Sequence, residues 1–421
     1  MYLFKSNNNF SLIYLITQLF TLTISYKLSD NSNLISSLKT NKNYPLIISD
    51  YIIHPEGDII SSLNIGTPPQ RLQLQVDLNN DFSWISTLLF KSNSTTLYKY
   101  PDLLHWEKRR INYISAEYSD HTSVSPYDIN IQPDISSNKQ FTFSFFLISS
   151  GHTKYQSLAL SRKYHNNRFN IVKNMKKAKL ISKAAFTIIP DESKFSAGKI
   201  IFGEISSHTL LDHEYNIGKI KPIQKQDYEY SWGVKLNKIH FNFTNQEYIY
   251  KCNSSNNFAI FQTTFNGVHV PPSFLEFFRN MINTNQSLKN SCKMTTKQRG
   301  YIFQCNENIS QYLNAFIFDF GEVQFNLDNL IKRENDNKYS LLIGDFDNEH
   351  NNIWIFGNIV LEKYLLMFDM DDDYVRIFSK EKLQIFNTSL KNKKYLFGIV
   401  NILLHIGILI NVIVKLRFAH K

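Results

Sequence analysis

Two stretches of this chain end an apolar strand in a small polar loop, a place where a β-rich enzyme presents a catalytic carboxylate. In "LQVDLNN" (74–80) the loop offers Asp77; in "AIFQTTFN" (259–266) it offers Gln262. The difference is chemical. Two carboxylates that share a site repel one another, so their pKa values split and one serves as base while the other serves as acid. A neutral amide neither titrates nor trades a proton. No Cys-x-x-Cys spacing or histidine cluster competes as a metal centre, and no metal or cofactor is expected.

The elements that position these loops carry a two-residue period. "GDIISSLNIG" and "RLQLQVDL" alternate or run apolar in short lengths with Gly and Pro-Pro between them, which predicts a hairpin. "FTFSFFLIS" (141–149), "GKIIFGEI" (198–205) and "NIWIFGNIV" (352–360) are further strand candidates. Helical pattern is sparse. "FNIVKNMKKAKLISK" (169–183) places Ile171, Met175 and Ala178 on one face under a solvated lysine face, and "PPSFLEFFRNMI" (271–282) opens on Pro, whose missing N–H costs nothing there. Many short strands and few helices make the chain mainly β, in two halves of similar size.

At 421 residues the chain has room for two cored lobes, and 19% charged with 43% hydrophobic residues is a globular composition. The net charge of +10 comes from lysines scattered among asparagines along the whole chain. Without an aromatic-interleaved basic motif or zinc-finger spacing, nucleic acid is not an expected partner.

"LNIGTPPQRLQLQVDLNNDFSWIS" (63–86) resembles the pepsin-like aspartic proteases, at the strand–turn–strand that delivers their first catalytic aspartate. Ile-Gly-Thr-Pro-Pro-Gln (65–70) stands as that family writes it, with Asp77 and Trp84 at the family's spacing. "INYIS" (111–115) lies where the flap tyrosine, here Tyr113, is expected; "GKIIFGEI" lies where the family has apolar-Phe-Gly-Gly. "WIFGNIVLEKYLLMFDMDDDYVRIF" (354–378) covers the final strands, usually Trp-Ile-Leu-Gly-Asp and then Phe-Asp. The resemblance spans roughly residues 50–380 and implies a bilobal acid-protease fold whose lobes cross near "NIGKIKPIQ" (216–224).

It also marks departures. The family's second motif is Asp-Thr-Gly-Thr/Ser followed by a Pro, and "QTTFN" before Pro271 places Gln262 where the second aspartate belongs. After Asp77 the family has Thr-Gly-Ser; this chain has Leu78, Asn79 and Asn80. Asn79 and Thr264 bring Cβ atoms to loop glycine positions. The inner threonine hydroxyl that ties one loop to the other is kept at Thr263 and lost at Leu78. The flap glycines around Tyr113 are absent, and Tyr155, Gln156 and Ser157 fall near the family's Phe-Asp-Gly segment. The resemblance thus implies Asp77 as a remnant catalytic residue, Gln262 as a non-functional replacement, and Tyr113 and Thr263 as substrate-binding positions.

Both ends of the chain are informative. Residues 1–25 read as a secretory signal, with the apolar run "FSLIYLITQLFTLTIS" behind Lys5. Residues 26–50 are a propeptide or linker, 51–218 and 219–385 the two lobes, and 386–394 a stalk. "YLFGIVNILLHIGILINVIV" (395–414) lacks Asp, Glu, Lys and Arg over a bilayer-spanning length and precedes the basic cytosolic tail 415–421. The expectation is a type I single-pass protein of a secretory-pathway membrane or the cell surface, its ectodomain lumenal or extracellular. There disulfides are permitted. Cys292 and Cys305 bracket a short loop and are expected to pair, leaving Cys252 over. The sequons at Asn93, Asn242, Asn253, Asn285, Asn308 and Asn387 fit a glycosylated ectodomain.

The function expected from sequence is a catalytically inactive pepsin-family homologue that binds an extended peptide or protein ligand, or acts in adhesion, at a membrane. The alternatives are residual endopeptidase activity using Asp77, or a structural ectodomain whose cleft is filled by Leu78, Phe265 and Asn266. The topology is directly testable. In intact microsomes, added protease should digest a tag placed after Lys421 while the 51–385 region stays protected; a protected tag would reverse the orientation.

Overall fold

The computed structural model describes residues 47–379 except 55–56, 66–69, 87–97, 100–123, 132–140, 149–155, 165–166, 192–193, 206–209, 211–214, 225–227, 253–256, 298–299, 307, 322, 329, 336–337 and 346–352. The leader, the 395–414 span, Tyr113 and the sequons Asn93, Asn253 and Asn387 lie outside the described residues. Among the described residues, no helix is long and apolar enough to cross a membrane.

The expected hairpin forms. Ile59–Ile65 pairs antiparallel with Gln70–Asp77, placing Leu63 opposite Leu72. In the second strand Leu72, Leu74 and Val76 are buried while Arg71 and Gln73 are exposed, which is the period-two pattern made physical. Phe141–Ile148 and Lys194–Phe202 are strands as well. The run 352–360 is a strand only over Trp354–Phe356; after Gly357 it becomes the helix Asn358–Lys363. The lysine-rich helix is confined to Ile171–Lys177, capped by the Asn170 side chain accepting from Lys173 N at 2.9 Å and followed by Lys179 at φ 57°. The helix Pro272–Thr284 buries Phe274, Phe278, Met281 and Ile282.

The described residues form three sheets. The largest carries the strands from Ile47 to Phe202, and the two final strands, Leu365–Asp369 and Tyr374–Ser379, extend it beside Ala185–Asp191 and Asn216–Ile220. A boundary drawn after residue 218 therefore falls inside a strand, and the last strands belong by hydrogen bonding to the first sheet. The second sheet is built from strands between Gly233 and Trp354–Phe356, and the third contains Gln246–Lys251, Lys238–Phe243, Phe316–Asp319 and Gln324–Leu327.

One continuous apolar core joins the halves. Phe186 of the first half stacks on Phe368 with centroids 4.9 Å apart; Trp232 lies 5.1 Å and Phe261 5.9 Å from the same ring. The Trp232 indole N–H is satisfied by Leu160 O at 2.9 Å. Leu78 is fully buried in this core. Cys292 and Cys305 are disulfide-bonded across facing ends of a hairpin. Cys252 is half-buried and free, its thiol pushed up to about 12 by burial.

The final hairpin turn adds an ionic clamp. Arg162, 1% exposed at its side chain, grips Asp373 with Nε and Nη2 at 2.6 and 2.5 Å and donates from Nη1 to Ile223 O at 2.5 Å. Asp369, wholly buried, takes Lys183 at 2.8 Å and Arg376 at 2.9 Å. Burial by itself would raise the Asp373 carboxyl, but the hydrogen bonds and charge of Arg162 outweigh it and hold it below the ordinary value. A depressed folded-state pKa contributes stability above the unfolded value of about 4, lost as pH falls through the folded one. Asp373→Asn should therefore lower the urea midpoint at neutral pH, with a loss at or below the ~3–5 kcal/mol of a broken buried pair because Asp373 is partly solvated. The gap from the wild type should narrow as pH falls below the ordinary carboxylate value of about 4. A gap that persists unchanged at low pH contradicts this account. Leu78→Ala should cost about 2–5 kcal/mol by the same measurement, as for any emptied core leucine.

Candidate active-site cleft

The two polar loops leave equivalent frameworks. Gln70–Asp77 pairs in parallel with Gln156–Ala159, setting Asp77 beside Ala159. Phe258–Phe261 pairs in parallel with Trp354–Phe356, setting Phe261 beside Phe356, and Gln262 N donates to Phe356 O at 2.9 Å. Each loop thus emerges from a strand held on one side by a parallel partner that arrives later in the chain. Crossovers of this kind bury both faces, which is why Val76, Ala259 and Phe261 are fully enclosed.

The loops meet through main-chain atoms beside Asp77 and Gln262. The Thr263 hydroxyl donates to Val76 O at 2.5 Å, and Ile59 N donates to Thr263 O at 3.0 Å. Thr263, assigned above to substrate binding, is fully buried and spends its hydroxyl on this tie, so it is a loop-joining residue and not a surface for a ligand. The reciprocal tie is absent: Leu78 occupies the matching position as a core side chain. Leu78 is packed among the core side chains. Phe265 packs with Phe258, Ile260, Ile353 and Ile355, so it too serves the core.

Close approach is secured by two glycines outside the loops. A Cβ on Gly57 (φ +96°) would lie 2.5 Å from Asn266 N, and one on Gly357 would lie 2.5 Å from Phe265 O. The second loop is sandwiched between them. Neither Asn79 nor Thr264 has a positive φ, so these replacements of loop glycines are tolerated without left-handed backbone.

A further residue completes the junction. Asn358 is fully buried; its Nδ2 donates to Gly57 O and its N–H donates to Phe265 O at 2.9 Å. An ionised carboxylate there could not donate to a carbonyl, whereas the amide can. The Gly-Asn in "WIFGN", where Gly-Asp is usual, was the available signal in the sequence.

The electrostatics of the two sites now differ. Burial pushes the Asp77 carboxyl above its ordinary value, opposed by hydrogen bonds from Asn79 N, Asn80 N and the Asn80 amide at 2.8, 3.2 and 3.3 Å. Its oxygens are held by its own loop as in an Asx turn. Gln262 Oε1, Asn79 Oδ1 and Asn266 Oδ1 are buried without hydrogen-bond partners. The two loops therefore present unpaired amide acceptors, with Asp77 on the first and the neutral Gln262 on the second. Among the described residues no His/Cys/Asp/Glu cluster could hold a metal. Asn242 is exposed; Asn285 and Asn308 cap short helices through Oδ1.

Comparison with known proteins agrees with this geometry. Residues 151–379, more than half of the chain, match the family described as eukaryotic aspartyl protease. No curated protein matches the sequence. Among solved structures, conglutin gamma, a basic 7S globulin from lupine seeds, is similar at TM-score 0.58 and 15% identity, covering 80% of this chain and 95% of that one. The aspartic proteinase from Irpex lacteus is similar at 0.57 and 13%, covering 80% and 98%. Basic 7S globulin from soybean is similar at 0.57 and 14%, covering 79% and 96%. These likenesses show a mainly β, bilobal pepsin-like fold, and with the family match they place this chain in the eukaryotic aspartyl protease family.

Proposed function

We propose that this chain is a catalytically inactive family member that retains its cleft for binding an extended peptide or protein segment, at a membrane of the secretory pathway or the cell surface. The observation that carries the proposal is Gln262: a neutral amide beside the loop tie, its Oε1 buried and unpartnered. The family reaction requires two carboxylates that share a proton around a water. Asp77, held by its own loop, has a neutral amide in place of the second carboxylate. General acid–base assistance is typically worth ~10²–10⁴-fold, so the missing group is a severe loss. Unpaired acceptors on both loops favour a ligand rich in N–H donors, as an extended backbone is, because a buried acceptor left unmade costs about 1–3 kcal/mol. Against a cleft filled by the chain itself, Leu78 and Phe265 are turned into the core. Among the similar structures, two are named as globulins and one as a proteinase, so the fold is compatible with a non-proteolytic member.

The test is cleavage. The full-length chain should leave peptide libraries intact between about pH 3 and 7, a window that spans ordinary carboxylate titration, and statine-type inhibitors should bind weakly. Cleavage that Asp77→Asn abolishes would sink the proposal. Binding of library peptides, lost on filling the cleft floor with Asn79→Trp, is the expected positive result.

A further inference from the structure

The third sheet treats its two edges differently. At one end, the Asn326 N–H and C=O are both satisfied by the Tyr364 hydroxyl, at 2.8 and 3.0 Å. At the other end lies Gln246–Lys251, which among the described residues pairs with Lys238–Phe243 on one side only. An uncovered edge strand is a template for pairing unless the chain blunts it.

The backbone direction along this edge follows from the ladder. Cys252 N donates to Asn237 O at 3.1 Å, extending the register that sets Tyr250 opposite Ile239 and Tyr248 opposite Phe241. Asn242, opposite Glu247, accepts from Asn314 N on its far side at 3.0 Å. Antiparallel ladders alternate between pairs that exchange hydrogen bonds and pairs that face away. Glu247, Ile249 and Lys251 are the residues facing away, so their N–H and C=O groups line the open edge. Their side chains are exposed too, and Ile249, at 50%, is one of two large hydrophobic residues so exposed among the described residues.

The open strand reads Glu247-Tyr248-Ile249-Tyr250-Lys251, opposite charges set symmetrically about an isoleucine. We infer that this edge is a self-association surface, on which a second copy of the chain adds its own 246–251 strand antiparallel with Ile249 on the two-fold axis. Only registers that set outward-facing residues opposite one another can exchange hydrogen bonds, which excludes every slip by one residue. Of those that remain, the register centred on Ile249 places Glu247 opposite Lys251 of the second copy at both ends. The same register sets Tyr248 opposite Tyr250 of the second copy and buries both exposed isoleucines against each other. Lysine commonly protects an edge by charge; a lysine and a glutamate disposed about a dyad instead favour one antiparallel pairing. Glu247 is free to turn to it. Its contact within the chain is His240 Nδ1 at 3.4 Å, and its side chain is 65% exposed. Lys238–Phe243 and Gln246–Lys251 are joined by a tight turn in which Thr244 and Asn245 are left-handed (φ 50° and 62°), so the edge projects on a stiff hairpin.

A contact of one strand per copy is smaller than a standard interface, so the dimer is weak and depends on concentration. The experiment is sedimentation of the full-length chain, expressed without N-glycosylation and purified in detergent, from about 1 to 200 µM, a range that brackets weak association. The wild type should shift from monomer towards dimer. Glu247→Lys alone and Lys251→Glu alone should each weaken the dimer about tenfold or more, since like charges then face each other at both ends. The double variant, and an equimolar mixture of the two single variants, should each recover association, because both arrangements restore opposite charges across the dyad. Glu247 and Lys251 both lie on the surface, and unchanged thermal unfolding verifies that the variants fold. A wild type that remains monomeric overturns the inference. So does dimerisation indifferent to the single reversals, or a mixture that fails to recover; capture of a strand from a different protein at this edge, with no self-association, does so as well.

Discussion

The fold depends on bringing two polar loops together through direct hydrogen bonds between buried groups. The Thr263 hydroxyl on Val76 O, with Ile59 N on Thr263 O, makes that junction with main-chain acceptors and donors. Buried peptide groups must find partners, and here each half supplies what the other lacks. Gly57 and Gly357 permit the approach because a Cβ at either position would overlap the second loop's backbone. The parallel strands behind each loop, the aromatic bridge through Trp232 and Phe368, and the Arg162–Asp373 clamp then hold the halves in the one placement that keeps this junction closed.

Around the junction, charge and backbone freedom have been exchanged for amides. Gln262, Asn79 and Asn358 stand at positions where the family resemblance places aspartate or glycine. The physical outcome is not uniform. Asn358 gains a donor and uses it on Gly57 O, so the substitution strengthens the contact between halves. The acceptor oxygens of Gln262, Asn79 and Asn358 itself are nonetheless left buried and unpaired. Leu78 replaces a hydroxyl by apolar volume and repays the missing hydrogen bond with core packing. The two lobes are thus joined without a proton-sharing pair, by the Thr263 tie and the Asn358 amide.

The ionic turn at residues 369–373 explains why a chain with so many dispersed lysines carries its acidic run at this one place. Asp369, Asp371, Asp372 and Asp373 meet Lys183, Lys176, Arg376 and Arg162, three of these cations contributed by the first half. The run therefore fastens the final hairpin to the helix Ile171–Lys177 and the loops around it, across separations of 189 to 211 residues, an arrangement invisible to any local reading of the sequence. Asp373 adopts a left-handed conformation there, which aspartate tolerates better than most residues.

Much of this protein is legible in its residue order. Alternation of Leu72, Leu74 and Val76 with polar neighbours determined a half-buried strand ending at Asp77. Ile-Gly-Thr-Pro-Pro-Gln with spaced Asp77 and Trp84 determined the family, and the proximity of Cys292 and Cys305 along the chain determined the disulfide. Local signals failed where a short apolar run had to choose its form: 352–360 continued as a helix after Gly357, because Asn358 turns back to bond the other half. The Thr263 tie was legible from the family resemblance, but the inward turn of Leu78 and Phe265 and the return of the last two strands to the first sheet were decided only by tertiary structure. The reason is common to all of them. Each depends on which distant backbone group a residue meets, and hydrogen-bond satisfaction and core volume are settled across the fold, between residues that the sequence holds far apart.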